Sequence, residues 1–326
     1  MVNVGIYFDL RNPEPARRSW ADLYAFTLEL CEEADRLGVH SIWLTEHHRF
    51  EDGYLPQPLT MAAAVAARTR NARIGTGVTI APLRHAAHLA EEAAVVDLVS
   101  GGRLELGLGT GYRIPEYALF DADDAYRTRY SATDARARDI RRLWDTGSVT
   151  PPPVQPRPRI WLGYQGPQGA RRAGLLGESL LCANPDLAEP YRAGLAEGGH
   201  DPASARMAGL LNGWITHDPE RDWPEVSTAL ARQWDSYHRH AVEGTDAPAP
   251  KPVNPDRWRA RGVGAAPAHF LHATPEQAAG DIRTYLADSP VETVWFFADL
   301  GGMPEAMART HVTTLCTDLA PLLRDA

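Results

Sequence analysis

The sharpest polar constellation in this 326-residue chain is Glu46-His47-His48, at the end of the short apolar run Ser41-Ile42-Trp43-Leu44. An imidazole titrates near neutrality and can donate or accept a proton there, so His47 is a candidate acid–base group. Glu46 and His48 join it as candidate catalytic residues, with His48 open to a second reading as a structural histidine hydrogen-bonded under a rim. A metal reading is weak. Adjacent histidines on extended chain point to opposite sides, and this cluster forms neither His-Glu-x-x-His nor His-x-His. No metal is expected.

A second group is rich in glycine and poor in acids: Gly75-Thr76-Gly77-Val78-Thr79, Gly107-Leu108-Gly109-Thr110-Gly111-Tyr112 and Gly163-Tyr164-Gln165-Gly166-Pro167-Gln168-Gly169. Bare backbone at three such places suits a large flat ligand that packs on peptide groups and hydrogen-bonds to them. The candidate ligand-binding residues are Thr76, Gly77, Val78, Gly109, Thr110, Gly111, Tyr112, Gln165, Gly166, Gln168 and Gly169. Gly109-Thr110-Gly111 is not a dinucleotide fingerprint, because no G-x-G-x-x-G follows from it. Gly163 to Arg172 is better placed for an anion, since a helix N-terminus presents free amides and a positive dipole end. Arg171 and Arg172 would add charge there or be plain solvated helix residues. Asp97, Arg103 and Glu91 read as a structural ion pair or cap.

These residues need elements to carry them. Short apolar runs at Val4–Phe8, Ser41–Leu44, Arg73–Ile80, Arg103–Leu108, Ile160–Gly163, Ser179–Ala183, Met207–Ile215 and Val294–Ala298 read as eight strands. Between them lie helical periodicities at Trp20–Leu37, Pro58–Arg68, His85–Val99, Tyr126–Trp144, through Arg171, and at Asp222–Val242. Thr274-Pro275-Glu276 opens a helix, and Pro304–Leu323 closes the chain. The piece Pro151–Pro158 must be extended. Gly244–Pro267 has no periodicity and reads as one long loop. Strand alternating with helix eight times predicts a single α/β domain over 1–326, a parallel (β/α)8 TIM barrel with an insertion at 244–267 after strand seven. An open doubly wound sheet would show a glycine turn after its first strand, where this chain has Asp9-Leu10-Arg11-Asn12. In a barrel, catalytic groups sit at the C-terminal ends of strands, which is where the glycine-rich segments and Glu46-His47-His48 fall.

Composition agrees. Hydrophobic residues at 44% and charged residues at 23% are globular values. A net charge of −9 repels polyphosphate and anionic lipid, so neither nucleic acid nor membrane is expected as a partner. Cys31, Cys182 and Cys316 form no close pair and read as core residues in a reducing compartment. With no signal peptide pattern and no apolar span, the expected location is the cytoplasm.

In order along nearly the whole chain, these segments resemble the bacterial luciferase-like flavin monooxygenases. The resemblance rests on Trp43-Leu44-Thr45-Glu46-His47-His48, on Arg73 to Val78 with Pro82, His85 and Ala90-Glu91, and on Asp97 to Arg103 followed by Gly107 to Tyr112 and Glu116. Thr274-Pro275-Glu276 matches a late motif, with Ala273 in place of glycine. The resemblance implies a barrel that binds FMN, delivered reduced by a separate reductase, and that uses O2 through a C4a-peroxyflavin to oxygenate a small organic substrate. It implies His47 beside the ring system and a non-prolyl cis peptide at Gly77–Val78. Thr110 stands where the luciferases place a phosphate-binding arginine, and Gly166 and Gly169 stand where they place hydroxyl residues. The alternatives are the 5-deazaflavin coenzyme with hydride transfer, as in a sister branch, or a non-catalytic flavin-binding subunit. Glu46 before the histidine pair leans towards FMN, the sister branch more often having aspartate. Barrels of this family commonly form homodimers, and the 244–267 loop would gate the pocket with Trp258 as a contact.

Overall fold

A computed structural model describes residues 1–265 and 268–324. Nine strands form the main sheet: β1 (Asn3–Phe8), β2 (Ser41–Leu44), β3 (Arg73–Thr76), β4 (Thr79–Ile80), β5 (Leu104–Gly109), β6 (Arg159–Leu162), β7 (Ser179–Leu181), β8 (Met207–Leu210) and β11 (Val291–Phe297). The order β3-β2-β1-β11-β8-β7-β6-β5-β4, with β3 also paired to β5, closes the sheet, and every pairing is parallel. This is the eight-stranded barrel that the alternation of elements predicts, with β3 and β4 together occupying the third position. Helices α1 (Trp20–Arg36), α2 (Pro58–Arg68), α3 (Ala86–Ser100), α4 (Ile114–Leu119), α5 (Asp123–Arg127), α6 (Arg129–Asp145), α7 (Gly166–Leu175) and α8 (Ala188–Glu197) lie between strands. After them come α9 (Pro219–Ala241), α10 (Pro255–Arg259), α11 (Pro275–Tyr285), α12 (Glu305–Thr314) and α13 (Ala320–Arg324).

Capping chemistry sets the helix ends. The Ser19 hydroxyl accepts from Asp22 N at 3.1 Å to start α1. Gly101 closes α3 in the left-handed region, at φ 68°, which a side chain would strain. Thr274 and Gln277 form a capping box on α11.

Two buried layers result. Outside the sheet, aliphatic residues of strands and helices form one cluster. Inside, the barrel is filled by Tyr7, Trp43, Trp161, Trp295 and Phe297, a cluster continuous with Val226, Ala229 and Leu230 of α9. Glycines make room for these rings. A Cβ at Gly75 would lie 2.2 Å from the Trp43 ring, which stacks on Trp295 at 4.2 Å between centroids.

Several expectations are corrected. The run Met207–Ile215 is not one strand: after β8 the chain leaves the barrel, and Gly213–Ile215 (β9) pairs in parallel with Leu271–Ala273 (β10) as a separate two-stranded sheet. The run Arg73–Ile80 breaks at Gly77–Val78, where the peptide is cis. The segment 244–267, of which Ala266 and Pro267 lie outside the described residues, contains α10. Helix α8 went unread in the sequence, although Leu187, Tyr191 and Leu195 are buried at helical spacing on and just ahead of it. Asp97 and Arg103 do not pair. Asp97 accepts from Gln155, and Arg103 caps the carbonyls of Ala66, Thr69 and Ala72, so only the capping half of that reading holds.

Candidate active site

At the C-terminal mouth, β2 runs into Thr45-Glu46-His47-His48, and the alternation of extended chain sends the two sides of this segment to different duties. His47 faces the mouth. Its Nδ1 lies 2.7 Å from Glu116 Oε1, on α4, and its side chain is 11% exposed. Phe50, Tyr54, Tyr112 and Tyr237 surround the ring at 4.8–6.2 Å between centroids. Glu116 is completely buried yet is held below the usual carboxylate range. Burial pushes it up, but the His47 ring, the His48 amide at 3.0 Å and the Arg113 guanidinium together pull it further down. Its second oxygen, Oε2, has no hydrogen-bond partner among the described residues. The pair is an imidazole with one nitrogen committed to a carboxylate and the other left for a ligand.

Glu46 and His48 do a different job. His48 Nε2 sits 3.0 Å from Glu46 Oε1, which also accepts from Arg84 at 2.9 Å, while Glu46 Oε2 accepts from Ile80 N at 2.8 Å. Glu46 thus pins β4, and with it the far side of the Gly77–Val78 break, to β2. Both side chains are buried and tied into this network, which sets Glu46 and His48 as the frame of His47 rather than as groups facing the mouth.

The glycine-rich rim is also only partly a ligand surface. A Cβ at Gly109 would lie 2.3 Å from Val78 Cγ2, and one at Gly163 would lie 2.5 Å from Val78 Cγ1. Those two glycines therefore accommodate Val78, which rides up between β5 and β6. At Gly107 a Cβ would meet the Thr76 carbonyl at 1.8 Å, and the Thr76 hydroxyl is tied to the Gly107 amide and carbonyl at 2.9 and 2.8 Å. Thr76 is a strand clamp rather than a ligand contact. Gly169 clears Tyr164 Cβ, and Gly111 turns the chain at φ 64°. Gly77, Val78, Thr110, Gly111 and Gly166 stay partly open, Gln165 is exposed and Tyr112 is 39% exposed, so a ledge does run from Val78 along these residues. Open space lies beside Gly166, the first residue of α7.

The expected anion site keeps its amides but loses its arginines. Arg171 pairs with Glu197 at 2.5 Å, and Arg172 pairs with Asp134. Arg129, which the sequence reading missed, is the cation better placed. It starts α6, has no carboxylate partner among the described residues, and lies 4.4 and 5.3 Å above the Tyr126 and Tyr130 rings. Tyr126 donates to Tyr112 O at 3.3 Å and Tyr130 packs 5.7 Å from Tyr164, so Arg129 stands between the exits of β5 and β6.

Opposite the ledge, the exit of β1 supplies Asp9 and Arg11. Arg11 is 3% exposed, donates to Asp52 at 2.8 Å and to Gln233 O at 3.1 Å, and lies 5.1 Å over Tyr237. Asp9 accepts from Gln233 Nε2 at 2.8 Å, and burial pushes its pKa up to about 6 against the pull of Arg11. Gln233 and Tyr237 belong to α9, and Tyr237 meets Tyr54 hydroxyl to hydroxyl. Helix α9, about 35 Å long by its 23 residues, is therefore the roof of the mouth. Trp258 of α10 packs 5.2 Å from Trp234 and 6.1 Å from His238, on that roof.

Residues 4–293 match the luciferase-like monooxygenases, and the chain belongs to that family of oxidoreductases. It is 35% identical over 164 residues to the oxygenase component of flavin-dependent trigonelline monooxygenase from Acinetobacter baylyi, a match spanning 44% of each chain. It is 27% identical over 329 residues to the F420-dependent glucose-6-phosphate dehydrogenase of Gordonia bronchialis, covering 91% of this chain and 93% of the other. Among solved structures, the monooxygenase RslO1 from Streptomyces bottropensis superposes with a TM-score of 0.80 at 25% identity, over 98% of this chain and 99% of that one. No helix among the described residues is long and apolar enough to cross a membrane.

Proposed function

We propose that this chain is the oxygenase of a two-component flavin monooxygenase, receiving reduced FMN from a separate reductase and using O2 to oxygenate a small organic substrate. The observation that carries this is the His47–Glu116 pair facing a ledge that runs from Val78 along Thr110, Gly111 and Gly166 beneath an aromatic roof. The ring system would lie on that ledge, with its phosphate at the amides of Gly166 and Gln168, Thr110 and Arg129. When bound, the flavin supplies the electrons and the site of oxygen activation. The protein's own part is then acid–base and exclusion of water. Glu116 holds Nδ1, so Nε2 is the atom that passes a proton to or from the bound ligands. The rings of Phe50, Tyr54, Tyr112 and Tyr237 keep that exchange from bulk water. That the Acinetobacter relative is the oxygenase component of its monooxygenase supports a partner reductase.

The test is oxygen uptake with reduced FMN and candidate substrates. His47→Ala should slow turnover about 100-fold while the FMN dissociation constant, read by flavin fluorescence, changes little. A second reading is hydride transfer with the 5-deazaflavin coenzyme, favoured by the near full-length match to the Gordonia dehydrogenase. Turnover that persists without oxygen would decide for it. Flavin binding with no turnover under either condition would mark a non-catalytic subunit. The proposed location is the cytoplasm, where a reductase and reduced cofactor are available.

A further inference from the structure

Arg113 is a fully buried arginine that no part of the reaction scheme requires, and its surroundings give it two ends. At one end its Nη1 donates to the His48 carbonyl and lies 3.4 Å from Glu116 Oε1. At the other, Nη2 donates to Glu243 Oε2 at 2.6 Å and Nε to the His240 carbonyl at 3.4 Å. Its guanidinium lies 4.4 Å over the Phe50 ring, which itself stacks on His240 at 3.9 Å and stands 5.2 Å from His47. The last turn of α9 is further held by Glu51, which takes His240 Nε2 at 2.8 Å and pairs with Arg239. The charged and titratable groups around the cation are thus Glu116 with His47 and Tyr112 behind it, His48, Glu243, and His240 with Glu51 and Arg239.

An unpaired buried guanidinium is costly, so Arg113 keeps its place only while both ends are engaged. We infer that Arg113 is a positioning residue that ties the docked roof helix to the His47–Glu116 pair, so that closing α9 over the mouth and readying the acid–base group are one event. When the C-terminal end of α9 lifts to admit a ligand, Glu243 and the His240 carbonyl leave Arg113, and the guanidinium loses the partners that fix it against Glu116. Docking restores them. The inference rests on His47 being the acid–base group of the proposed reaction.

The experiment uses the unliganded full-length protein, with hydrogen exchange of 236–243 and carbon NMR titration of Glu116. Arg113→Gln should raise exchange in that segment about tenfold or more and move the protonation midpoint of Glu116 up by about one pH unit. Arg113→Lys should restore the midpoint, because it keeps the charge, and Glu243→Gln should loosen the helix end and move the Glu116 midpoint up by a smaller amount, because the guanidinium loses one of the partners that fix it against Glu116. A merely structural arginine would lower thermal stability without moving that midpoint, and this result, or exchange unchanged in Arg113→Gln, overturns the assignment. If Arg113→Gln does not fold, unchanged exchange in Glu243→Gln overturns it equally. Both readouts are free of cofactor, so a protein that shows them but has no oxygen-dependent turnover refutes the proposed function and leaves this assignment standing.

Discussion

At the scale of single residues, position along two strand exits separates chemistry from scaffolding. His47 and His48 are neighbours in sequence, yet one faces an aromatic pocket and the other is consumed by Glu46. Glu116, 69 residues away from His47, completes the working pair. Its substitution by glutamine keeps the shape and removes the charge, so Glu116→Gln should lower turnover roughly ten- to a hundredfold. The same variant should leave flavin affinity nearly unchanged in a binding assay, while its melting temperature falls because the buried Arg113 loses a charged partner. A loss of affinity equal to the loss of turnover would place Glu116 in the ligand contact instead. The histidine was legible from its place after a strand. Its partner was legible only as part of a family motif, because nothing local to Glu116 marks a carboxylate aimed at a distant ring.

At the scale of elements, the break between β3 and β4 organises the ledge. Val78 occupies the volume that side chains at positions 109 and 163 would need. Gly109→Ala therefore forces a clash and should destabilise the fold by about 1–3 kcal/mol. Val78→Ala in the same chain should recover much of that loss, a non-additivity measurable by thermal denaturation of the two single variants and the double. Additive losses would mean that Val78 is not the reason for the glycine. A second element-scale effect sits just past β11. Asp299 is buried with Oδ1 unpartnered among the described residues, and burial, with Asp9 adding repulsion, raises its pKa to about 7. A carboxyl whose folded pKa is raised above its unfolded value contributes stability that is complete at low pH and lost as pH rises through about 7. Asp299→Asn should accordingly be more stable than the parent above pH 7, by the order of 2–4 kcal/mol, with the difference shrinking below pH 5. An equal difference at both pH values would show that the carboxyl does not titrate in this range.

For the whole molecule, an exposed apolar stripe lies on α3, where Val95, Leu98 and Val99 are 39–48% exposed. Such a stripe on a helix that is apolar on its inner face too is where two copies of the chain are proposed to meet. Val95→Asp with Val99→Lys should convert a dimer to a monomer in sedimentation equilibrium, with activity per chain retained. A parent that already sediments as a monomer would refute the proposal. Acid stability is also a property of the whole: burial lowers the pKa of His40 and His311 to about 4. Neutral in the fold and charged when unfolded, they contribute stability that is present above pH 6.5 and lost as pH falls towards 4. Unfolding midpoints in denaturant measured from pH 7 to 4 would read this loss.

What the chain determined by itself was what depends on short-range pattern. Apolar runs alternating with 3.6-residue periodicity specify strand and helix, and eight repetitions specify a closed barrel whose C-terminal rim must carry His47, Gly109 and Gly166. Tertiary structure alone decided which groups meet. It set Arg11 and Asp9 opposite the ledge, brought Tyr237 and Gln233 down from α9 as a roof, turned Arg171 and Arg172 away to carboxylates, and gave Gly109 to Val78 rather than to a ligand. Those choices depend on contacts between residues tens to hundreds of positions apart, where periodicity carries no information and the energetics of burial and charge pairing select the partner.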